Sequence, residues 1–148
     1  MFMAAEVIYL RREKVLFDAS IYISYLIRGR YVSLIGHLAQ SSIFYLSSIV
    51  YEELLAGARE GKEVRELHRM KKPFHKTGRL ITPSDEDWEE TGHVIRKIRQ
   101  KEGIHAVSLT QDALIAISAR RQGIRVVTAN KKDFEKIRSF KDFKLTTW

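Results

Sequence analysis

Short runs of consecutive apolar residues, too brief to be helices, recur along this chain between longer stretches of helical periodicity. Val15-Leu16-Phe17, Ile43–Leu46 and Ile124–Thr128 carry little polar alternation. A strand with one wet face alternates apolar and polar residues; a strand covered on both faces does not. Strands of the second kind belong to parallel sheets, whose crossover connections are long enough to hold helices. The pattern therefore predicts an α/β fold with a mainly parallel central sheet.

The remaining elements follow from punctuation. Ile21–Arg28 and Tyr31–Ala39 read as helices separated by Gly29, and residues 6–10 as an additional strand or arm. Ser48 is expected to cap a helix running to about Arg59. A charged helix from Glu63 ends near Lys72, with Pro73 as its stop. Arg79–Thr82 reads as a strand. Ser84 caps the next helix, which carries Asp85, Glu86 and Asp87 in its first turn and Trp88, Val94, Ile95 and Ile98 as apolar positions. Thr110 is expected to cap a helix over 111–122, closed by Gly123. Lys132–Arg138 reads as a short helix and Phe143–Thr147 as a last strand. With 148 residues and no linker-like tract, the chain is expected to form a single domain over 1–148.

Four acids stand beside the apolar runs: Asp18, Glu53, Asp112 and Asp133. Each has an ordinary explanation. Asp18 is placed to cap a helix, Asp112 and Asp133 lie in first turns, and Glu53 is a helix acid whose neighbour Glu52 competes for the inward position. In open α/β sheets, however, ligands gather beyond the carboxyl ends of strands, which is where Asp18 and Asp133 fall. Four carboxylates brought together repel and raise one another's pKa unless a cation lies among them. An all-oxygen set fits Mg²⁺ or Mn²⁺, and such an ion can activate water against a phosphodiester.

Composition restricts the alternatives. There is no cysteine, so disulfides and thiolate zinc sites are excluded, and a reducing, cytoplasmic setting is expected. The five histidines have no paired ligand spacing, and no glycine-rich phosphate loop occurs. No apolar stretch reaches membrane-spanning length, and Arg11, Arg12 and Lys14 follow the first apolar segment, the reverse of a signal peptide. The formal net charge is +8, which favours polyanionic partners. The cations concentrate between Arg59 and Arg79, where Arg69, Lys71, Lys72 and Lys76 are candidates for RNA binding and Phe74 for base stacking. Glu60, Glu63 and Glu66 offer instead the i,i+4 partners of an ordinary solvated helix. Lys131 and Lys132 beside Asp133, and Arg120 and Arg121, are further candidate phosphate guides.

The ordered stretches Val-Leu-Phe-Asp-Ala-Ser at 15–20, Ser-x-x-x-x-Glu-Leu-x-x-Gly at 48–57, Asp-Ala-Leu-Ile-Ala at 112–116 and Val-Val-Thr-Ala-Asn-x-x-Asp-Phe at 126–134 resemble the PIN-domain family, and within it the VapC-like toxin ribonucleases. Residues 1–14 then form an N-terminal extension. The resemblance implies a three-layer α/β/α domain. It also implies a Mg²⁺ or Mn²⁺ site on Asp18, Glu53, Asp112 and Asp133, supported by Ser20, Thr128 and Asn130. Endonucleolytic cleavage of single-stranded RNA is implied, with a small antitoxin as partner. The apolar segments 21–35 and 45–55 are candidate surfaces for that partner or for a homodimer. The competing expectation is a domain of the same fold that binds nucleic acid or acts as a scaffold without catalysis. A metal-dependent phosphatase or a DNA nuclease is a third.

Overall fold

The computed structural model describes residues 12–30 and 32–148. In chain order the elements are β1 (Glu13–Phe17), α1 (Ala19–Arg28), α2 (Val32–Ser41), β2 (Ser42–Ser47), α3 (Ser48–Gly57), α4 (Gly61–Lys76), β3 (Leu80–Ile81), α5 (Asp85–Glu102), a 3-10 segment (Ile104–Leu109), α6 (Thr110–Arg121), β4 (Arg125–Thr128), α7 (Lys131–Phe140) and β5 (Leu145–Thr147). The strand or arm expected at 6–10 lies outside the described residues. Glu13 and Lys14, read as the end of an N-terminal extension, belong to β1.

The five strands form one sheet in the order β3-β2-β1-β4-β5, and every pairing is parallel. From β1 the chain winds outward through β2 to β3, then returns across the sheet to β4 and β5. The strand order thus reverses between β1 and β4, and right-handed crossovers put the helices of the two halves on opposite faces. The contacts agree: α3 packs on α1 and α4, while α5, α6 and α7 pack on one another. This is the expected three-layer α/β/α arrangement.

Burial explains the sequence pattern. Val15, Leu16, Phe17, Val126 and Val127 are all buried because both sheet faces are covered. The side chains of α6 from Ala113 to Ala119 are likewise buried, so this helix is apolar nearly all round and lies inside the molecule.

Several boundaries differ from the sequence reading. Ser47, not Ser48, caps α3: its backbone is extended and its Oγ accepts the Ile49 amide at 3.2 Å. That helix ends at Gly57 rather than near Arg59. Pro73 does not stop α4, which continues through Lys76. A proline forfeits one amide and crowds the carbonyl four residues back. Only one further turn is needed here, and Thr77 closes it by donating its amide and hydroxyl to the Pro73 carbonyl at 3.2 and 2.7 Å. Thr110 is not a cap, because α6 grows directly out of the 3-10 segment; its hydroxyl donates back to the Val107 carbonyl at 2.7 Å. Trp88 lies on the outer face of α5, 56% exposed.

Candidate metal centre

Asp18 follows β1 directly, and its amide donates to the Val127 carbonyl at 3.1 Å, extending the β1–β4 ladder by one step. The residue therefore lies at the point where the strand order reverses, the place where open α/β sheets bind ligands. It occupies the N-cap position of α1 but makes no capping hydrogen bond. Its oxygens are taken from the side: Ser20 Oγ donates to Oδ1 at 2.5 Å, and Thr128 Oγ1 donates to Oδ2 at 2.8 Å. Capping alone therefore does not account for Asp18: the first amides of α1 favour its ionised form, but the close partners of both oxygens are Ser20 and Thr128.

The same hydrogen bonds tie the end of β1 to the end of β4. Ser20 Oγ accepts the Ala129 amide at 3.1 Å, and Thr128 Oγ1 accepts the Asn130 amide at 2.9 Å. Asn130 Nδ2 in turn donates to Asp133 Oδ2 at 3.0 Å. One chain of contacts thus runs from Ser20 through Asp18, Thr128 and Asn130 to Asp133. All five residues are visible in the sequence motifs; the Ala129 amide is not, since a main-chain donor leaves no trace in side-chain identity.

Burial pushes the Asp18 carboxyl above its ordinary range, against the opposing pull of Ser20, Thr128 and the amides at the start of α1. Glu53 is half-buried on α3 while Glu52 is exposed, which settles which of the pair faces inward. Burial raises the Glu53 carboxyl, and the charges of Asp18 and Glu52 raise it further. Asp112, in the first turn of α6, is pushed up to about 7, first by burial and then by the charges of Asp18, Glu53 and Asp133. Asp112 thus senses the other three acids. The contact of α3 with α6 brings Glu53 and Asp112 from opposite halves of the fold to one locality. Among the described residues neither the Glu53 nor the Asp112 carboxylate accepts a hydrogen bond from protein.

The four acids interact through space without closing into a coordination shell: among the described residues, no group of three or more His, Cys, Asp or Glu side chains is close enough to hold an ion. The donor chemistry nonetheless fits a hard divalent cation. All donors are carboxylate oxygens, those of Glu53 and Asp112 accept no hydrogen bond among the described residues, and the acids' mutual repulsion is what a cation would relieve.

The basic candidates separate. Lys131 and Lys132 are exposed at the start of α7, next to Asp133, and Arg69, Lys72 and Lys76 are exposed on α4. Lys71 is turned inward, its ammonium 4.9 Å from the centre of the Tyr51 ring. Phe74 is not available for base stacking: it is half-buried, packs on the core, and has the Arg79 guanidinium 5.9 Å from its ring centre. Arg120 and Arg121 lie at the opposite end of α6 from Asp112. Arg120 donates to the Asp142 carbonyl and Arg121 is paired with Glu86 and Asp87. A depression of about 560 Å³ beside them is lined by charged residues, including Glu90 and Lys141, and holds none of the four acids. Of the two apolar segments, 45–55 is core through Val50, Tyr51 and Leu54, whereas Ile23, Tyr25, Leu26 and Val32 are exposed. Among the described residues no helix is long and apolar enough to cross a membrane.

A family model described as the PIN domain matches residues 15–139. No curated protein matches the sequence. Among solved structures, the chain is similar to VapBC-1 from nontypeable Haemophilus influenzae, with 18% identity, 90% of this chain and 97% of that chain covered, and a TM-score of 0.68. It is similar to VapBC2 from Rickettsia felis, described as bound to a DNA fragment from the promoter, with 23% identity, 90% and 98% covered, and a TM-score of 0.68. It is also similar to DNA-bound VapBC from Salmonella typhimurium, with 20% identity, 92% and 98% covered, and a TM-score of 0.66.

Proposed function

The chain belongs to the PIN domain family, and from that premise we propose that it is a Mg²⁺- or Mn²⁺-dependent endoribonuclease that hydrolyses phosphodiester bonds of single-stranded RNA. The observation that carries this reading is Asp112, part-buried in the first turn of α6, whose carboxyl is raised first by burial and then by the charges of Asp18, Glu53 and Asp133. Asp18 lies at the switch point of a parallel sheet, and the charges of Asp18, Glu53 and Asp133 reach Asp112, in a protein of net charge +8; these features support the reading.

In this proposal Asp18, Asp112 and Asp133 hold the cation, and Glu53 is either a fourth ligand or a base outside its shell. When bound, such an ion supplies Lewis acidity toward a phosphoryl oxygen and makes water more acidic. The protein contributes position. Ser20 and Thr128 fix both oxygens of Asp18, and Asn130 orients Asp133, as supporting hydrogen bonds orient ligands elsewhere. Glu53, whose carboxylate accepts no hydrogen bond among the described residues, would accept a proton from the attacking water. Lys131 and Lys132, exposed beside Asp133, steer phosphate toward the acids.

Similarity to chains of VapBC assemblies supports a toxin role with a small antitoxin as partner. The exposed residues Ile23, Tyr25, Leu26 and Val32 are the surface we assign to that partner or to a second copy of the chain.

Cleavage of a labelled single-stranded RNA pool tests the function. Wild type is expected to cut with Mg²⁺ or Mn²⁺ and to stop in EDTA, and Asp18→Asn to lose the activity. Binding without cleavage in every metal condition would favour the non-catalytic domain. Preference for DNA, or for phosphomonoesters, would replace the substrate.

A further inference from the structure

The α4 helix has two opposite faces. Val64, Leu67, Met70, Lys71 and Phe74 form the inner one, packed against α3, β2 and β3. Lys62, Arg65, Arg69, Lys72 and Lys76 form the outer one, and all five are exposed. Their spacing of three, four, three and four residues keeps them within an arc of about 80°. At 1.5 Å per residue the row runs about 21 Å, with a cation roughly every 5 Å.

A charged outer face is ordinary when acids and bases alternate and pair. Here they do not. Among the described residues none of the five cations forms an ion pair; the pairs lie between β1 and β4 and around α5, α6 and α7. Glu63 is turned away, accepting the Arg59 amide at 2.8 Å. The row is also held rigidly. Leu67 is buried, and Tyr51 of α3 shares a 3.3 Å hydrogen bond with His68 Nδ1. Since α3 carries Glu53, the cation row is braced against the helix that supplies one of the four acids.

We propose that this outer face is a rail for the phosphate backbone of a single-stranded polynucleotide, an inference that rests on the ribonuclease reading for its choice of strand. A single line of cations at near-nucleotide spacing matches one backbone with one charge per residue. Binding of this kind fixes register without reading sequence. A membrane surface is disfavoured because the apolar face of α4 is already committed to the core. A protein partner is disfavoured because the row offers no apolar anchor around which a hot spot forms.

The test is fluorescence anisotropy of a labelled 20-nucleotide RNA, in EDTA to prevent cleavage, across a potassium chloride series. Wild type is compared with the exposed triple Arg65→Gln/Arg69→Gln/Lys72→Gln. A control triple, Arg96→Gln/Lys97→Gln/Arg99→Gln on α5, removes the same charge. With about 0.7 counterions released per single-strand contact, the α4 triple should lower the log–log salt slope by about 2. It should weaken binding at least tenfold, equally for RNA and single-stranded DNA, while the α5 triple changes the slope by less than half as much. Equal losses in the two triples would reduce the row to net charge and overturn the proposal. So would absence of binding by wild type, tighter binding of the matching duplex, or displacement by polyglutamate at equal charge. Cleavage assayed separately keeps the two readings apart. Binding through the row without metal-dependent cleavage would sink the ribonuclease and leave the rail. Cleavage by wild type, with the α4 triple binding as wild type does, would sink the rail and leave the ribonuclease.

Discussion

Thr128 and Asp18, 110 residues apart in sequence, are joined in the buried centre of the fold by a 2.8 Å hydrogen bond from Oγ1 to Oδ2. Thr128→Val keeps the shape and removes the donor. Asp18 then keeps Ser20 as its side-chain donor, and burial raises its carboxyl further. The expected outcome is a folded protein whose metal-dependent cleavage falls about 10–100-fold, the usual effect of removing a group that orients a ligand. Cleavage rates at saturating Mn²⁺, with a melting curve as control, check this. A rate equal to wild type would deny the hydrogen bond an orienting role.

Asp112 carries a cost to the free protein, because its ionised form is disfavoured first by burial and then by the charges of Asp18, Glu53 and Asp133. Asp112→Asn is predicted to abolish cleavage and at the same time to stabilise the metal-free protein at pH 8, by on the order of 1–2 kcal/mol. Urea denaturation in EDTA measures it. A destabilised variant would mean that the carboxylate is satisfied and the acids are not in conflict.

The same group sets a pH dependence. Its folded pKa of about 7 lies above the ordinary 3.8, so between those values the folded protein binds a proton that the unfolded chain releases. Stability then falls as the pH rises from about 4 to about 7 and is level above. Metal-free protein should therefore melt higher at pH 6 than at pH 8. Millimolar Mn²⁺ should raise the pH 8 melt toward the pH 6 value, the cation taking the place of the proton. A melting temperature that rises with pH across this range in EDTA would contradict the shift.

Much of this was legible in the sequence, and particular residues show why. The runs around Val15 and Val126 read as doubly covered strands, and Asp18 and Asp133 stood just beyond them, with Glu53 and Asp112 in helices elsewhere. Which local role each acid plays was not legible. Asp18 looked like a helix cap because Asp before a helix usually is one; the hydroxyl that claims it comes from Thr128 on a strand adjacent only in space. Ser47 and Ser48 are chemically equivalent caps, and the register of β2 decides between them. The pairing of Asp87 with Arg121 was hidden for the same reason, 34 residues separating the partners.

That pairing makes a stability prediction. Asp87 is buried at the start of α5. Burial would raise its carboxyl, but the Ser84 amide, Arg121 and the Ser84 hydroxyl outweigh this and hold it below the ordinary range. It also completes a capping box with Ser84. Asp87→Ala leaves Ser84 as the cap but removes the bond to the Ser84 amide and the Arg121 partner; it should cost about 1–2 kcal/mol, with cleavage per folded molecule unchanged. The stabilisation from this group is present above its unfolded pKa and is lost as pH falls through its lower folded value, so the deficit should shrink in the acid range below about pH 4. Chemical denaturation at pH 7 and pH 3 checks both points. An equal deficit at the two pH values would show that the ionised carboxylate contributes nothing.

The central claim is that Asp18, Glu53, Asp112 and Asp133 act as one cation site. Titration of Mn²⁺ into the protein, with free Mn²⁺ read by electron paramagnetic resonance at pH 7.5, tests it most directly. Wild type is predicted to bind Mn²⁺ in competition with Mg²⁺. Asp18→Asn, Asp112→Asn and Asp133→Asn should each weaken binding at least tenfold, Glu53→Gln should do so as a ligand and lose cleavage with binding retained as an outer base, and Glu52→Gln should leave binding unchanged. No binding by wild type, or four variants that bind as wild type does, would contradict the account.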